Sequence, residues 1–311
     1  MQKIVFTITP NPALDLSGVV KELKPNEKVY VYDEQRAPGG NSINTARILN
    51  RLKIPVVASG FLGGSTGGEI ENLLEKEHLK HRFIKVAESS RVNVTVSNVS
   101  DHLQTRLSFP GPHIKRSEKQ RLFDLVAKQR QMSMLVLGGS LPKGFGPADM
   151  LHVMKLAHVR GIGCVVDCPG DVLSQVIKGK PRLIKPNLEE FQILTRSRVS
   201  SLRAVHKKCQ ELLSDVEMIC VSSVEEGALL VTRKGSFFGR IPRITVRSSV
   251  GAGDSMVGAM VAQLYQGQLA GESILRWGLA SAAATLRHSG TKLGQASEIR
   301  SLSKKIKINE V

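Results

Sequence analysis

The chain has 311 residues, 41% of them hydrophobic, so it can bury a substantial core in one large α/β domain with an appendage or in two modest domains. It shows neither an apolar stretch long enough for a membrane span nor a signal-peptide pattern, so we expect a cytoplasmic protein without a membrane partner. The formal net charge of +17 would suit a polyanion, but the basic residues are scattered and only 4% of residues are aromatic, which argues against a nucleic-acid partner.

The N-terminal part of the chain predicts a small sheet inserted into a larger fold. Apolar and polar residues alternate with period two at Val29–Tyr32 and at Val92–Val96, which predicts strands. Between them, Ile43–Leu52 and Ile70–Leu79 have helical periodicity. A sheet that few helices cover needs another surface against its apolar face. We therefore expect a lid over a site, a contact with a second subunit, or both.

From about residue 130 onward, strand patterns alternate with helix patterns. The predicted strands are Met134–Leu137, Cys164–Asp167, Leu183–Lys185 and Met218–Val221. The predicted helices are Met150–Val159, Leu188–Leu194 and Leu202–Leu213. This alternation predicts a parallel sheet covered on both faces, and ligands bind such sheets beyond the carboxyl ends of the strands.

A glycine-rich block places a carboxylate at the start of an apolar helix. Gly251, Ala252 and Gly253 precede Asp254, and the apolar run Met256–Ala262 follows. The first N–H groups of a helix lack intrahelical partners and lie at its positive end, so they can hold a phosphoryl group. Asp254 is then placed to take the proton from an attacking hydroxyl. The spacing fits a helix-capping aspartate as well, so both interpretations stay open at this point.

Neither common phosphate-binding motif is present. The chain contains no Gly-x-x-x-x-Gly-Lys-Ser/Thr loop and no Gly-x-Gly-x-x-Gly after a strand. A second glycine pair, Gly39-Gly40, instead opens another predicted helix. P-loop and dinucleotide-binding proteins are therefore disfavoured.

Five motifs follow one another along the chain: Thr9–Asp15, Gly39–Asn44, Gly138–Pro142, Lys185–Glu190 and Gly251–Asp254. In the type and order of these motifs the sequence resembles the ribokinase-type carbohydrate kinases, specifically the PfkB family and its phosphofructokinase branch. This resemblance implies an α/β fold with a ribokinase-like, doubly wound and mostly parallel sheet, helices on both faces and a small β-sheet lid. A single domain, 1–311, would contain lid segments at about 12–36 and 90–110. The resemblance also implies ATP and Mg²⁺, K⁺ as a further ion, and a homodimer formed through the lid sheets.

The resemblance implies a sugar-phosphate site between the lid and two glycine-rich turns. Its residues would be Asp15, Lys28, Gly39, Gly40, Asn44, Arg91, Asn93 and Ser140, with Arg106 as an addition. The oxygens of Asp15 would accept bonds from sugar hydroxyls, and the guanidinium of Arg91 suits a phosphate. Turn formation and ordinary surface charge are the structural alternatives for these residues.

The resemblance places the nucleotide and the metals along the strand ends. Asp254 would be the general base, assisted by Gly251, Ala252 and Gly253. Nucleotide contacts would come from Lys185, Asn187, Ser222, Ser223, Gly227 and Gly253. Asn187 and Glu190 would organise Mg²⁺ partly through water, as suits an ion that keeps its hydration. A monovalent cation would lie near the carbonyls of Ser248, Val250 and Gly290.

We therefore expect an ATP-dependent kinase that phosphorylates a hydroxyl of a ketohexose phosphate. Fructose 6-phosphate is the first choice, because Asn41 follows Gly39-Gly40 where 1-phosphofructokinases and tagatose-6-phosphate kinases commonly carry lysine. Those two activities are the nearest alternatives. A nucleoside kinase of the same fold and a non-enzymatic nucleic-acid-binding protein are the more distant ones.

Overall fold

Strands and helices alternate along most of the chain. The computed structural model describes residues 2–101 and 103–311. The strands in this part are β1 (Ile4–Thr9), β2 (Ala13–Val20), β3 (Tyr32–Gly39), β4 (Val56–Gly63), β5 (Ile84–Val86), β6 (Arg91–Asn98), β7 (Gln104–Ser108), β8 (Met132–Gly138), β9 (Gly163–Asp167), β10 (Leu183–Ile184), β11 (Met218–Val224), β12 (Gly227–Thr232), β13 (Gly235–Arg240) and β14 (Ile308–Glu310). The helices are α1 (Asn41–Arg51), α2 (Gly64–Lys76), α3 (Arg116–Lys128), α4 (Pro147–His158), α5 (Gly170–Val176), α6 (Leu188–Thr195), α7 (Leu202–Leu212), α8 (Ala252–Tyr265), α9 (Gly271–Leu286) and α10 (Ala296–Ser303). Within these ranges, no helix is long and apolar enough to cross a bilayer.

Ten strands form one large sheet in the order β14-β13-β12-β11-β10-β9-β8-β1-β4-β5. Neighbouring strands from β11 to β5 are parallel, whereas β12, β13 and β14 add an antiparallel edge. Helical crossovers connect the parallel strands, as the alternating patterns predict. The predicted doubly wound, mostly parallel sheet is confirmed.

Two hydrophobic clusters cover the two faces of this sheet. On β1, the side chain of Val5 belongs to one cluster and those of Phe6 and Ile8 to the other. Helices α1, α2, α8, α9 and α10 contribute to the first cluster, and α3 to α7 contribute to the second. Because both faces are buried, these strands are near-continuous apolar runs without polar alternation.

The strand order places a crevice beside β1. The chain passes from β1 to β4 on one side, while β8 lies on the other side of β1. In open α/β sheets, ligands bind at such a reversal, beyond the carboxyl ends of the strands. Thr9, Gly138 and Asp167 are the last residues of β1, β8 and β9. We therefore expect the ligand site at this edge of the sheet.

The lid is a separate four-stranded sheet in the order β3-β2-β6-β7, in which β2 and β6 are parallel. Strand β3 ends at Gly39, slightly beyond the predicted lid segment at about 12–36. The prediction of a strand at Val29–Tyr32 is wrong, because pairing with β2 begins only at Tyr32, opposite Val19. The backbone of Asp33 is left-handed at φ 54°, and the register shifts beside it. Residues 28–31 are therefore part of the connection between β2 and β3.

The segment that contains Ser222, Ser223 and Gly227 is a β-hairpin. Strand β11 continues through Ser222 and Ser223 to Val224, and Gly227 already begins β12. Glu225 and Glu226 make the turn at φ values of 43° and 61°. Two positive φ angles match the right-handed twist of the flanking strands, so these residues form a tight hairpin.

Candidate active site

Asp254 lies in the first turn of α8 but does not cap the helix. The N-cap is Gly251, whose φ of 74° is left-handed and whose missing Cβ would lie 2.6 Å from the side chain of Leu293. The carboxylate of Asp254 instead accepts a hydrogen bond of 2.8 Å from Nδ2 of Asn44. The hydroxyl of Thr45 donates to the Asp254 carbonyl at 3.1 Å. These contacts hold the carboxylate against α1, so the capping interpretation does not apply.

The start of α8 has backbone donors free for a ligand. Among the described residues, the N–H groups of Gly253 and Asp254 have no hydrogen-bond acceptor, and that of Ala252 has only a long bond of 3.4 Å to Ser249. A Cβ on Gly253 would lie 3.2 Å from the ammonium of Lys185, so glycine keeps this surface open. Unpaired amides at a positive helix end, beside a lysine, form an anion site.

The protonation of Asp254 is tuned by its surroundings. Burial and repulsion from Asp167 raise the pKa of Asp254 to about 7, although the Asn44 hydrogen bond and the charge of Lys185 lower it in part. A carboxyl group with a pKa near neutral is well matched to proton transfer near neutral pH. The environment therefore suits a general base.

Asp167 is a central residue that the sequence analysis treated only as a strand end. It is 6% exposed, lies 3.4 Å from the ammonium of Lys185, and accepts a hydrogen bond of 3.3 Å from Asn41. Burial disfavours the charge of Lys185, but the carboxylates of Asp167 and Glu190 outweigh it and raise the lysine pKa. An acidic residue that ends a buried strand at the ligand edge is a signal that could have identified Asp167.

On the lid side, Asp15 is positioned by its strand neighbours. It stands opposite Asn93 in the β2–β6 ladder, and Nδ2 of Asn93 donates to its carboxylate at 2.8 Å. A Cβ on Gly39 would lie 2.2 Å from Oδ2 of Asp15, so the glycine makes room for this carboxylate. Burial raises the pKa of Asp15, while Asn93, Arg91 and Arg47 act in the opposite direction. Three of the predicted sugar residues, Asp15, Gly39 and Asn93, are thus in one place.

Arg91 and Ser140 reach the same region through Asn11, which the sequence analysis did not single out. The Arg91 guanidinium donates to the Asn11 carbonyl at 3.3 Å, and the Asn11 side chain donates to Ser140 Oγ at 3.2 Å. Burial lowers the pKa of Arg91, and the carboxylate of Asp15 raises it. A half-buried guanidinium with weak carbonyl contacts is available to a phosphate.

Gly40 and Asn44 belong to the start of α1. Gly40 is its N-cap with φ 118°, and a Cβ there would lie 2.6 Å from Thr9. Asn44 faces Asp254 rather than standing alone beneath the sugar. The Asn44–Asp254 hydrogen bond therefore joins the turn at Gly39-Gly40 to the glycine-rich block at Gly251–Asp254.

Two predicted cationic contacts lie elsewhere. Lys28 is exposed on the connection before β3, where its ammonium lies over the ring of Tyr30, 4.8 Å from the centroid. The expectation that it lies on a lid strand is wrong. Arg106 does lie on β7, and it donates to Ser249 Oγ at 2.7 Å, joining the lid to the segment before α8.

The predicted nucleotide residues lie at the ends of β10 and β11. Asn187 and Glu190 cap α6 reciprocally, each side chain accepting from the other's backbone N–H at 2.9 Å. Asn187 also forms a parallel β-bridge with Ser222, so Ser222 lies beside the start of α6. Gly227 is buried, and a Cβ there would lie 2.3 Å from the Gly239 carbonyl. Packing between strands thus explains why glycine occupies this position.

The donor set fits a metal that shares its ligands with a nucleotide. In the described ranges, no group of three acidic, histidine or cysteine side chains could hold a metal on its own. Burial, together with repulsion from Asp167, raises the pKa of Glu190, so a nearby cation would favour its charged form. Magnesium usually keeps several waters and phosphate ligands and uses few protein carboxylates. Glu190 at the capped end of α6 fits that mode.

The carbonyls predicted for a monovalent cation are also free. Over the described part of the chain, those of Ser248, Val250 and Gly290 accept no hydrogen bond. Ser248 is buried, and Gly290 has a left-handed backbone at φ 63°. A Cβ on Gly290 would lie 2.6 Å from Ser17 Oγ of the lid, which explains the glycine by packing.

Comparison with known proteins gives the family. The profile described as pfkB family carbohydrate kinase matches residues 8–298. The chain belongs to this family. It is 30% identical over 292 residues to the ATP-dependent 6-phosphofructokinase isozyme 2 of Escherichia coli (strain K12), covering 93% of this chain and 94% of that protein. It is 29% identical to a 1-phosphofructokinase of Borreliella burgdorferi (91% of each) and 30% identical to a tagatose-6-phosphate kinase of Staphylococcus epidermidis (85% and 86%).

A solved structure gives the same result for this pfkB-family chain. Phosphofructokinase-2 from Escherichia coli in complex with substrates and products matches with a TM-score of 0.92 and 28% identity, covering 97% of this chain and 99% of that one. The same enzyme in complex with potassium matches with a TM-score of 0.91 and 29% identity, covering 98% and 99%. The expected family and fold are confirmed. The chain is a ketohexose-phosphate kinase, a phosphotransferase with a hydroxyl acceptor.

Proposed function

We propose that this chain transfers the γ-phosphoryl group of ATP to fructose 6-phosphate, giving fructose 1,6-bisphosphate and ADP. The observation that carries the proposal is the position of Asp254: a half-buried carboxylate, held by Asn44, beside the amides of Gly253 and Asp254, which have no acceptor among the described residues. Asp15 is close enough to influence its pKa. A base, an anion site and a hydroxyl-binding carboxylate therefore meet at one point.

The chemistry follows from these groups. The sugar hydroxyl oxygen attacks the γ-phosphorus, and its proton passes to the carboxylate of Asp254. The bond between the γ-phosphorus and the oxygen bridging to the β-phosphate breaks, and ADP leaves with that electron pair. The amides of Gly253 and Asp254, with the ammonium of Lys185, stabilise the charge on the transferring group. Bound Mg²⁺, near Glu190, would neutralise phosphate charge.

The choice of sugar rests on two observations. Asn41 occupies the position that commonly carries lysine in 1-phosphofructokinases and tagatose-6-phosphate kinases. In this chain it donates a hydrogen bond to Asp167. The relative of Escherichia coli named for 6-phosphofructokinase activity also aligns over 93% of the chain. Relatives named for 1-phosphofructokinase and tagatose-6-phosphate kinase activity align at nearly the same identity. Both remain the alternatives to be tested.

A coupled assay of ADP release tests the substrate. The panel is fructose 6-phosphate, fructose 1-phosphate, tagatose 6-phosphate, ribose and nucleosides, each with ATP and Mg²⁺. We expect the highest kcat/KM with fructose 6-phosphate. A higher value with either other ketohexose phosphate would replace the proposed substrate, and turnover confined to nucleosides would reject the sugar-phosphate site.

Asp254→Asn tests the base. The change keeps shape but removes the proton acceptor, so we expect kcat to fall by about 10²-fold to 10⁴-fold. The matched control is Asp124→Asn, because Asp124 lies on the exposed side of α3, where it accepts from Gln120. Unchanged turnover in Asp254→Asn would reject the role of Asp254, whichever sugar is phosphorylated.

We also propose that two copies pair through their lid sheets. Large apolar side chains are exposed on the lid and its connections: Val31, Tyr32, Leu103, Leu107 and Phe109. An apolar patch of this kind on a thin sheet is stabilised when a second sheet covers it.

We propose the monovalent cation at the carbonyls of Ser248, Val250 and Gly290, which accept no hydrogen bond among the described residues. Comparing turnover in KCl with turnover in choline chloride tests this site.

A further inference from the structure

Helix α1 buries an arginine one turn after Asn44. Arg47 is 4% exposed, and its Nη1 donates to Oδ1 of Asn44 at 3.1 Å and to the carbonyl of Pro38 at 3.4 Å. Its Nε and Nη2 donate to the carboxylate of Glu77 over distances of 2.6–3.1 Å. Residues three apart on a helix share one face, so the arginine reaches the asparagine directly. The buried charge is thus both paired and hydrogen-bonded.

This contact decides which way the Asn44 amide points. An asparagine side chain has a donor end and an acceptor end, and a rotation of 180° exchanges them. Arginine can only donate, so it must meet the oxygen of Asn44. The nitrogen is then left to face the carboxylate of Asp254, at 2.8 Å. Among the described residues, these two bonds are all that the Asn44 side chain makes.

We propose that Arg47, held in place by Glu77, is a positioning residue that acts on Asp254 through the orientation of Asn44. The proposal rests on the role of Asp254 as general base. An amide that donates to a carboxylate favours the ionised form, which can accept the substrate proton. A rotated amide would accept instead, and so would favour the protonated acid, which cannot act as base.

Other groups also face Asp254, and they act by charge alone. Asp167 approaches from the end of β9 and Asp15 from β2, and both disfavour the ionised carboxylate. Lys185, which follows β10, favours it. None of the three forms a hydrogen bond with the side chain of Asn44 in the described part of the molecule. Removing Arg47 therefore changes one contact of the base and leaves its charged neighbours in place.

The first test compares Arg47→Met with Arg51→Met. Methionine keeps a flexible apolar stem but removes the donors and the charge. Arg51 lies one turn later on α1, also near Glu77, but it donates to the carbonyls of Leu293 and Gly294 and not to Asn44. We expect Arg47→Met to lower kcat/KM at neutral pH about fivefold and to move the acidic limb of the kcat/KM profile up by about one pH unit. Arg51→Met should leave that limb unchanged.

The second test asks whether Arg47 acts through Asn44. In an Asn44→Ala enzyme the amide is absent, so adding Arg47→Met should cause no further loss of kcat. Independent, multiplicative losses would overturn the proposal, as would a wild-type pH limb in Arg47→Met. Arg47→Lys keeps a positively charged donor group and should recover part of the rate. A role in folding alone would lower Tm in both backgrounds without moving the pH limb.

A readout without turnover separates this proposal from the proposed function. The carboxyl signal of Asp254 in aspartate-labelled protein, identified by its loss in Asp254→Asn, can be titrated by carbon-13 NMR. We expect its pKa to rise by about one unit in Arg47→Met and not in Arg51→Met. An unchanged value would refute the positioning role even in an active enzyme. If Arg47→Met does not fold, Glu77→Gln should shift the pKa in the same direction by a smaller amount.

Discussion

Gly39→Ala should damage sugar binding while sparing ATP binding. A Cβ at this position would lie 2.2 Å from Oδ2 and 2.5 Å from Oδ1 of Asp15, whereas ordinary contacts begin at 3.4 Å. The carboxylate must therefore move by about 1 Å, which breaks its 2.8 Å bond with Asn93 and its alignment with a sugar hydroxyl. Hydrogen bonds to charged groups contribute about 1.5–3 kcal/mol each. Losing one corresponds to about a tenfold to hundredfold lower kcat/KM for the sugar.

The matched control for this prediction is Gly68→Ala. Gly68 lies inside α2, and nothing lies within 4 Å of the Cβ it would gain. There, alanine should raise the free energy of unfolding by up to about 1 kcal/mol, through helix propensity, without changing kinetics. Steady-state assays varying each substrate in turn, together with thermal unfolding, measure both variants. An unchanged sugar KM and kcat in folded Gly39→Ala would refute the steric argument.

Four further predictions concern the base, the phosphate contact and the lid. Because the pKa of Asp254 is raised to about 7 in the free protein, kcat/KM should fall as the pH drops through that value, and a kcat/KM profile flat to pH 5 would contradict this. Ionising this half-buried carboxyl opposes folding as the pH rises from 3.8 towards 7, so Asp254→Asn should raise Tm most at neutral and alkaline pH, measured by calorimetry. Arg91→Lys should raise the sugar-phosphate KM by about tenfold or more while the KM for ATP stays constant, and an equal change in both would argue against a phosphate contact. Leu107→Asp, on a side chain that is 51% exposed, should shift sedimentation towards the monomer, whereas Leu269→Asp, far along the chain and 58% exposed, should not.

Local patterns predicted the fold well, because each pattern reports the burial of one element. The runs around Met134–Leu137 and Cys164–Asp167 became β8 and β9 since strands buried on both faces need continuous apolar side chains. The lid followed from period-two alternation at Val92–Val96, which lies within β6. The prediction failed at Val29–Tyr32, where alternation is present but no neighbouring strand pairs with residues 28–31. A strand depends on its partner as much as on its own sequence.

The site could be predicted only where the chemistry lies within one motif. Asn44 and Asp254 are far apart in the sequence, and the hydrogen bond between them decides that the aspartate is not a helix cap. Arg47 is a charged residue in an amphipathic helix, so its pattern indicates a solvent-facing position, yet it is buried against Glu77 at the end of a different helix. No spacing within α1 could reveal that pairing. A residue that orients a catalytic group without touching the substrate can lie in the same local sequence pattern as a surface residue. Only the folded structure distinguishes the two.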